Sequence, residues 1–283
     1  MSATIVSVWQ SARDALIAAG VEMPVFDARL LLEAGAEISR LDIITDPRRP
    51  LSEAQVRGVE ALVARRVARE PISRILGRKA FWTLELELTP DVLTPRPETE
   101  FLVEFALAAL APTTPARVLD LGVGSGAILL SVLTERDLAS GVGVDLSAVA
   151  LDVTRANASR MKLDNRLTLR AGGWDVEFGE PFDLVLSNPP YIPSGEIDAL
   201  APEVALHEPR MALDGGPDGL DAYRAIINRL PHLLKPGGAF AFEVGKGQAD
   251  AVYALAAGAG FVRLEQRHDL AGIPRVVCGW ARP

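Results

Sequence analysis

One cysteine, Cys278, stands in a chain of 283 residues, beside only three histidines, His207, His232 and His268. A lone thiol cannot close an internal disulfide, and it suits a chain kept in a reducing compartment. The histidines are far apart in sequence and neither CxxC nor HExxH occurs, so no metal site is expected. No run of about 18 uninterrupted apolar residues is present, which argues against a membrane span. The opening MSATIVSVWQSARDALIAAG lacks a basic region followed by an apolar stretch and a small-residue cleavage site. Neither a secretory leader nor an Arg-rich, acid-poor organellar leader is expected from it.

Positive charge is also scarce. The net charge is −8, a poor match for a protein that holds nucleic acid by neutralising phosphates, so no direct nucleic-acid partner is expected. The exception is residues 48–79, where nine arginines and lysines face three glutamates; that window carries +6 and leaves −14 for the rest. It reads either as a solvated helix face or as a docking surface for a partner. On the docking reading, charge reversal at Arg65, Arg66 and Arg69 should weaken binding of a large partner.

What is abundant is apolar material, 49% of the residues, enough for a sizeable core. Residues 1–74 read as a small helical domain. VFDARLLLEAGAE has apolar positions at helical spacing with Asp27 near its start, and LSEAQVRGVEALVARRVARE opens on Ser52 as an N-cap and is closed by Pro71. Residues 75–98 form a strand and turn linker: FWTLELELT alternates as a half-buried strand, and the expected element there is a β-hairpin. EFLVEFALAAL follows as a helix. From residue 116 strands and helices alternate, with ARVLDLG, SGVGVDL, RLTLRAG, FDLVLS, GGAFAFEVG, FVRLEQRHD and PRVVCGW as the strands. Apolar strands joined by helical crossovers predict a mostly parallel sheet covered on both faces. The last two strands have only a short link between them and predict an antiparallel hairpin. Such a sheet resembles the seven-stranded, Rossmann-like methyltransferase architecture, here spanning 99–283.

VLDLGVGSGAILL is a buried strand, a glycine-rich turn and a helix. Gly122, Gly124 and Gly126 allow close backbone approach to a ligand at the positive end of a helix. Gly122 through Ala127 also fits the G-x-G-x-x-G/A dinucleotide fingerprint, and Asp145 ends the next strand, 19 residues after Gly126, where a carboxylate accepts from ribose hydroxyls. These two features indicate an adenosine-containing cofactor and leave NAD and S-adenosyl-L-methionine both open.

The corner SNPPYIPSGE bears on that choice. Two successive prolines cannot continue a central strand, and they hold Asn188 and Tyr191 rigidly at the carboxyl end of the fourth strand. A planar nitrogen nucleophile needs acceptors for its N–H groups. Asn188 Oδ1 supplies one and the Pro189 carbonyl another, with Tyr191 packed on the substrate plane. Acceptors on both N–H groups bias the nitrogen towards pyramidal geometry and aim its lone pair at an electrophilic methyl held in line. NAD chemistry gives such a corner no task, so the cofactor reading becomes S-adenosyl-L-methionine, with S-adenosyl-L-homocysteine as product.

The motif [DN]-P-P-[YF] after the fourth strand is similar to that of methyltransferases acting on planar nitrogens. EPISRILGRKAFW, LTPRPETE, DLGVGSGAILL, SNPPYIP and ALAPEVALHEPRMALDGGPDGLDAYR follow in the order seen in release-factor glutamine N5-methyltransferases, which the chain resembles from about residue 10 onwards. The resemblance implies methylation of the glutamine in the GGQ motif of class I peptide chain release factors. The missing leader leads to the expectation of a bacterial cytoplasmic location, a monomer is the default expectation, and on the docking reading of the +6 window helices 1–74 dock the release factor. The resemblance also implies that Gly122, Val123, Gly124, Ser125 and Gly126 form the cofactor loop, Asp145 holds the ribose and Trp174 lies against the adenine. Asn188, Pro189, Pro190 and Tyr191 would grip the glutamine, with Asn188 also near the cofactor. Val123 departs from the family's usual Thr, and Gly173 from a polar residue before Trp174. HEPRMALDGGPDG would frame the mouth of the pocket, and TPRPETE either closes its other side or is a linker turn. The competing readings are a nucleic-acid adenine-N6 methyltransferase with the same corner, and a non-catalytic cofactor-dependent docking module.

Overall fold

In the computed structural model, which describes residues 3–283, the helical spacing of the first segment becomes α1 (Ile5–Ala18), α2 (Pro24–Ala36), α3 (Arg40–Thr45), α4 (Glu53–Val67) and α5 (Ile72–Leu76). A hairpin of β1 (Arg78–Phe81) and β2 (Leu84–Glu87) leads to α6 (Glu100–Ala109). Alternation then sets in: β3 (Ala116–Leu121), α7 (Ala127–Glu135), β4 (Ala139–Asp145), α8 (Ala148–Arg160), β5 (Leu167–Ala171) and β6 (Phe182–Ser187). The single turn α9 (Pro202–Ala205) and α10 (Asp221–Leu233) precede β7 (Leu234–Glu243), α11 (Ala249–Gly258), β8 (Val262–His268) and β9 (Pro274–Trp280). These elements divide into two compact units, Met1–Gly77 with Pro202–His207, and Arg78–Ala201 with Glu208–Pro283.

In the first unit Ser52 caps α4 as the sequence predicts, in a reciprocal box with Gln55. Leu16, Leu31, Leu32 and Val59 form its core. Helices α2 and α4 touch backbone to backbone, because a Cβ on Gly35 would stand 2.6 Å from the Val59 backbone. Three arginines of the +6 window, Arg65, Arg66 and Arg69, are committed to partners within this unit. Arg66 is 7% exposed and donates from Nε to Asp27 Oδ2 at 2.8 Å and from Nη1 to Glu203 Oε1 at 3.1 Å. Arg65 pairs with Glu70. Arg69 takes Glu203 on one side and the carbonyls of Ala19 and Gly20 on the other. Its backbone turns left-handed at φ 69, and α4 ends at Val67, short of Pro71. Asp27, predicted near a helix start, is the buried counter-ion of Arg66.

The second unit holds a seven-stranded sheet in the order β5-β4-β3-β6-β7-β9-β8. The pairs β5-β4, β4-β3, β3-β6 and β6-β7 are parallel, whereas β9 runs antiparallel to both β7 and β8. The predicted terminal hairpin is thus present, with its second strand inserted against β7. Apolar β3 and β6 sit at the centre with Val118, Leu119, Leu184 and Val185 fully buried. From β3 the chain builds outward to β4 and β5, then returns to start β6 on β3's other side. Ligands of such sheets bind where the two directions diverge, at the carboxyl ends of these central strands. Asp120 pairs with Leu186 across them, so Gly122 and Asn188 leave the sheet side by side.

FWTLELELT does not form one strand. It breaks at Trp82, whose φ is 53, and Phe81 pairs back onto Leu84. Alternation is blind to this turn, which is held from afar: Trp82 donates its backbone N–H to Glu100 Oε1 at 2.8 Å and its indole N–H to Glu135 Oε1 at 3.0 Å. Among the described residues no helix is long and apolar enough to cross a membrane.

Candidate active site

Strand β3 ends at Leu121 and the chain enters its glycine turn with φ of 77 at Gly122, 56 at Gly124 and 84 at Gly126. Side-chain-bearing residues rarely adopt such values, so the turn needs glycine. The end of β4 holds the turn in place. Gly122 and Val123 both donate to the Val144 carbonyl, at 2.9 and 3.0 Å, and Gly124 N–H donates to Asp145 Oδ2 at 2.9 Å. Asp145 Oδ1 accepts Ser147 N–H at 2.9 Å, and Ser147 caps α8. One carboxylate therefore fixes the loop and the start of the next helix. Asp120, just before the loop, is fully buried. Burial pushes its carboxyl well above the ordinary carboxylate range, with help from the Asp145 charge.

A cleft opens over this loop. Gly122, Gly124, Asp145, Trp174, Asn188 and Pro190 line it together, as the sequence reading places them. The Trp174 ring lies over bare backbone, 3.6 Å from where a Gly122 Cβ would stand. Asp91 and Leu93 form part of the wall, with Pro209 and Met211, from the segments on either side. Pro209 and Met211 belong to the HEPRMALDGGPDG loop, and Glu208 of that loop reaches TPRPETE by accepting from Thr94 N–H and Arg96 Nη2, each at 3.2 Å.

Of the remaining predicted residues, Val123, Ser125, Gly126 and Tyr191 do not line this cleft. Val123 is buried in the core, packed on Gly143, where a Cβ would stand 2.9 Å from its Cγ2. The exchange of Thr for Val therefore removes a hydroxyl from the interior. Ser125 is 3% exposed, and its carbonyl accepts Asn157 Nδ2 at 3.0 Å. Asn157 also exchanges two hydrogen bonds with the Glu87 backbone, tying the loop to the hairpin. Gly126 packs on Leu130 and Thr154. Pro189 is buried, and Tyr191 is turned to the other side of the corner.

There a network appears that the sequence reading missed. Asn188 Nδ2 donates to Thr99 Oγ1 at 3.2 Å, and Thr99 donates to Glu243 Oε2 at 2.5 Å. Tyr191 donates its hydroxyl to Glu243 Oε1 at 3.3 Å. Burial raises Glu243 to about 7, although hydrogen bonds from Thr99 and Tyr191 oppose the shift. Burial likewise raises the Tyr191 hydroxyl, reinforced by the Glu243 charge. The available signal was an acid at the end of the apolar strand AFAFEVG; Thr99 gave none. Among the described residues no three His, Cys, Asp or Glu side chains assemble as a metal ligand set.

Residues 7–77 match the PrmC N-terminal domain, and residues 98–218 the methyltransferase small domain. Over its full length the chain is 49% identical to the release factor glutamine methyltransferase of Caulobacter vibrioides, of which it covers 98%. It is 46% identical to the release factor glutamine methyltransferase of Rhodospirillum rubrum across 91% of this chain and 79% of that one. A methyltransferase of known structure from Pyrococcus furiosus matches 79% of this chain and 98% of its own, with a TM-score of 0.53 at 15% identity, a likeness of fold.

Proposed function

The chain belongs to the release factor glutamine methyltransferase family, and from that premise we propose that it methylates the side-chain amide nitrogen, N5, of the glutamine in the GGQ motif of class I peptide chain release factors. The observation that carries this reading is the Asn188 carboxamide on the wall of the cleft that holds Gly122, Gly124, Asp145 and Trp174. The methyl donor is S-adenosyl-L-methionine, which supplies an electrophilic methyl on a positively charged sulfur.

The residues present suit that group. Bare glycine backbone admits a ligand closely, an aromatic ring provides a face for a base, and the Asp145 carboxylate retains lone pairs for ribose hydroxyls. Asn188 Oδ1 and the Pro189 carbonyl are the acceptors for the two N–H groups of the substrate amide. Holding both weakens the delocalisation of its lone pair and fixes its direction. The prolines remove the entropy that a flexible corner would lose on binding. Tyr191, tied to Glu243, braces the corner from behind.

The adenine-N6 reading uses the same corner, and the relatives' shared name weighs against it. One incubation tests both: radiolabelled S-adenosyl-L-methionine with a release factor, with its GGQ Gln→Ala variant, and with duplex DNA. Label is expected in the intact release factor alone. Label in DNA, or label surviving in the variant, would reject the assignment.

A further inference from the structure

Asn188 serves the proposed chemistry in only one of its two flip states. Its oxygen accepts an N–H; its nitrogen, placed at the same point, would repel one. Which end faces the cleft is set by the hydrogens of its neighbours. Thr99 has one hydroxyl hydrogen, and an ionised carboxylate only accepts. Thr99 Oγ1 lies 2.5 Å from Glu243 Oε2, so that hydrogen is committed to Glu243. Towards Asn188, at 3.2 Å, the same oxygen is left as an acceptor, and the carboxamide must turn Nδ2 to it.

We infer that Glu243 is a positioning residue: by taking the Thr99 hydroxyl hydrogen it makes Thr99 an acceptor for Asn188 Nδ2, and so keeps Asn188 Oδ1 as the carboxamide atom presented to the cleft. The inference rests on the reading of Asn188 given above.

Protonation of Glu243 reverses the chain. The acid's own O–H has Thr99 Oγ1 as its nearest partner, since Tyr191 is farther, at 3.3 Å. The Thr99 hydrogen then points at Asn188, whose oxygen is drawn off the cleft. Glu243 is 3% exposed. Facing it are Thr99 and Glu98 from the turn before α6, Tyr191 from the corner and Arg275 from β9. Tyr223 of α10 donates to the Glu243 backbone carbonyl at 2.7 Å. Burial raises the carboxyl from 4.5 to about 7, with Glu98 adding to the shift and Arg275 opposing it. The acceptor orientation is therefore held above about pH 7 and lost below it.

Two measurements on the full chain test this. The chain has four asparagines, Asn157, Asn165, Asn188 and Asn228, so [15N]Asn labelling gives a sparse side-chain spectrum in which Asn188 is assigned by its loss in Asn188→Ala. The Asn188 NH2 signal should titrate with a midpoint near 7 in the wild type and stay flat in Glu243→Gln and Thr99→Val. In methyl transfer, kcat should fall about tenfold per pH unit below the midpoint while cofactor affinity stays level. The limb should vanish in Glu243→Gln and Thr99→Val and persist in Thr99→Ser, which keeps the hydroxyl; Thr99→Val serves alone if the Gln variant does not fold. A limb that survives in Thr99→Val, or an Asn188 signal that does not titrate, overturns the proposal. A titrating signal without transfer to any release factor upholds the coupling and rejects the substrate assigned above.

Discussion

Arg69 grips Glu203 with two parallel hydrogen bonds, Nε to Oε1 at 2.7 Å and Nη2 to Oε2 at 2.8 Å, across 134 residues of sequence. Arg66 adds a third at 3.1 Å while its Nε holds Asp27. Such bidentate pairs are geometrically specific, and removing one member of the buried part leaves an uncompensated charge.

The consequence is an acid sensitivity of the first unit. Burial raises Glu203, but hydrogen bonds from Arg69, its own backbone and Arg66 outweigh it and hold the carboxyl at about 2, below its ordinary 4.5. Its contribution is complete above about pH 4.5 and drains away as pH falls towards 2. Glu203→Gln should lower stability by about 1–3 kcal/mol at neutral pH and by much less at pH 2–3. Denaturant midpoints across pH check this; a constant difference would contradict it.

Asn188→Ala should leave S-adenosyl-L-methionine binding measurable by calorimetry and slow methyl transfer about a hundredfold or more, by analogy with the loss of a transition-state hydrogen bond. Single-turnover rates at saturating cofactor isolate that step. Near-normal rates would remove Asn188 from its role.

Asp145→Asn is expected to weaken cofactor binding about 10–100-fold, the scale of a lost charge-assisted hydrogen bond. Asp145 now accepts two backbone N–H groups, and an amide must turn its own NH2 at one of them. Isothermal titration measures the effect. An unchanged dissociation constant would show that the loop stands without this carboxylate.

Val123→Thr should restore the family's usual residue without tightening cofactor binding, because the side chain is 4% exposed and faces the core. A buried hydroxyl there should cost about 1–2 kcal/mol of stability. Cofactor affinity and denaturant unfolding together decide it, and a clear gain in affinity would place the hydroxyl in the cleft.

Much of the site was legible because its parts are local. The glycine turn needs left-handed backbone within five residues, and the double proline must end β6, so both write themselves into short motifs. Asp145 and Trp174 follow because strand ends in a parallel sheet meet at one edge. Thr99 and Glu243 were not legible: they lie 89 and 55 residues from Asn188 in sequence, and nothing in PETE or FEVG announces a shared hydrogen. The pairing of Arg66 and Arg69 was hidden for the same reason, since composition counts charges and does not show that Asp27 and Glu203 fold back to meet them.

Periodicity and turn chemistry, which depend on near neighbours, determined the helical first segment, the parallel sheet and the glycine turn at its carboxyl edge from the sequence by itself. Tertiary structure alone decided the partners of the buried charges and the network behind Asn188. Burial removes the water that would otherwise satisfy these groups, so each takes whichever complementary atom the fold brings near.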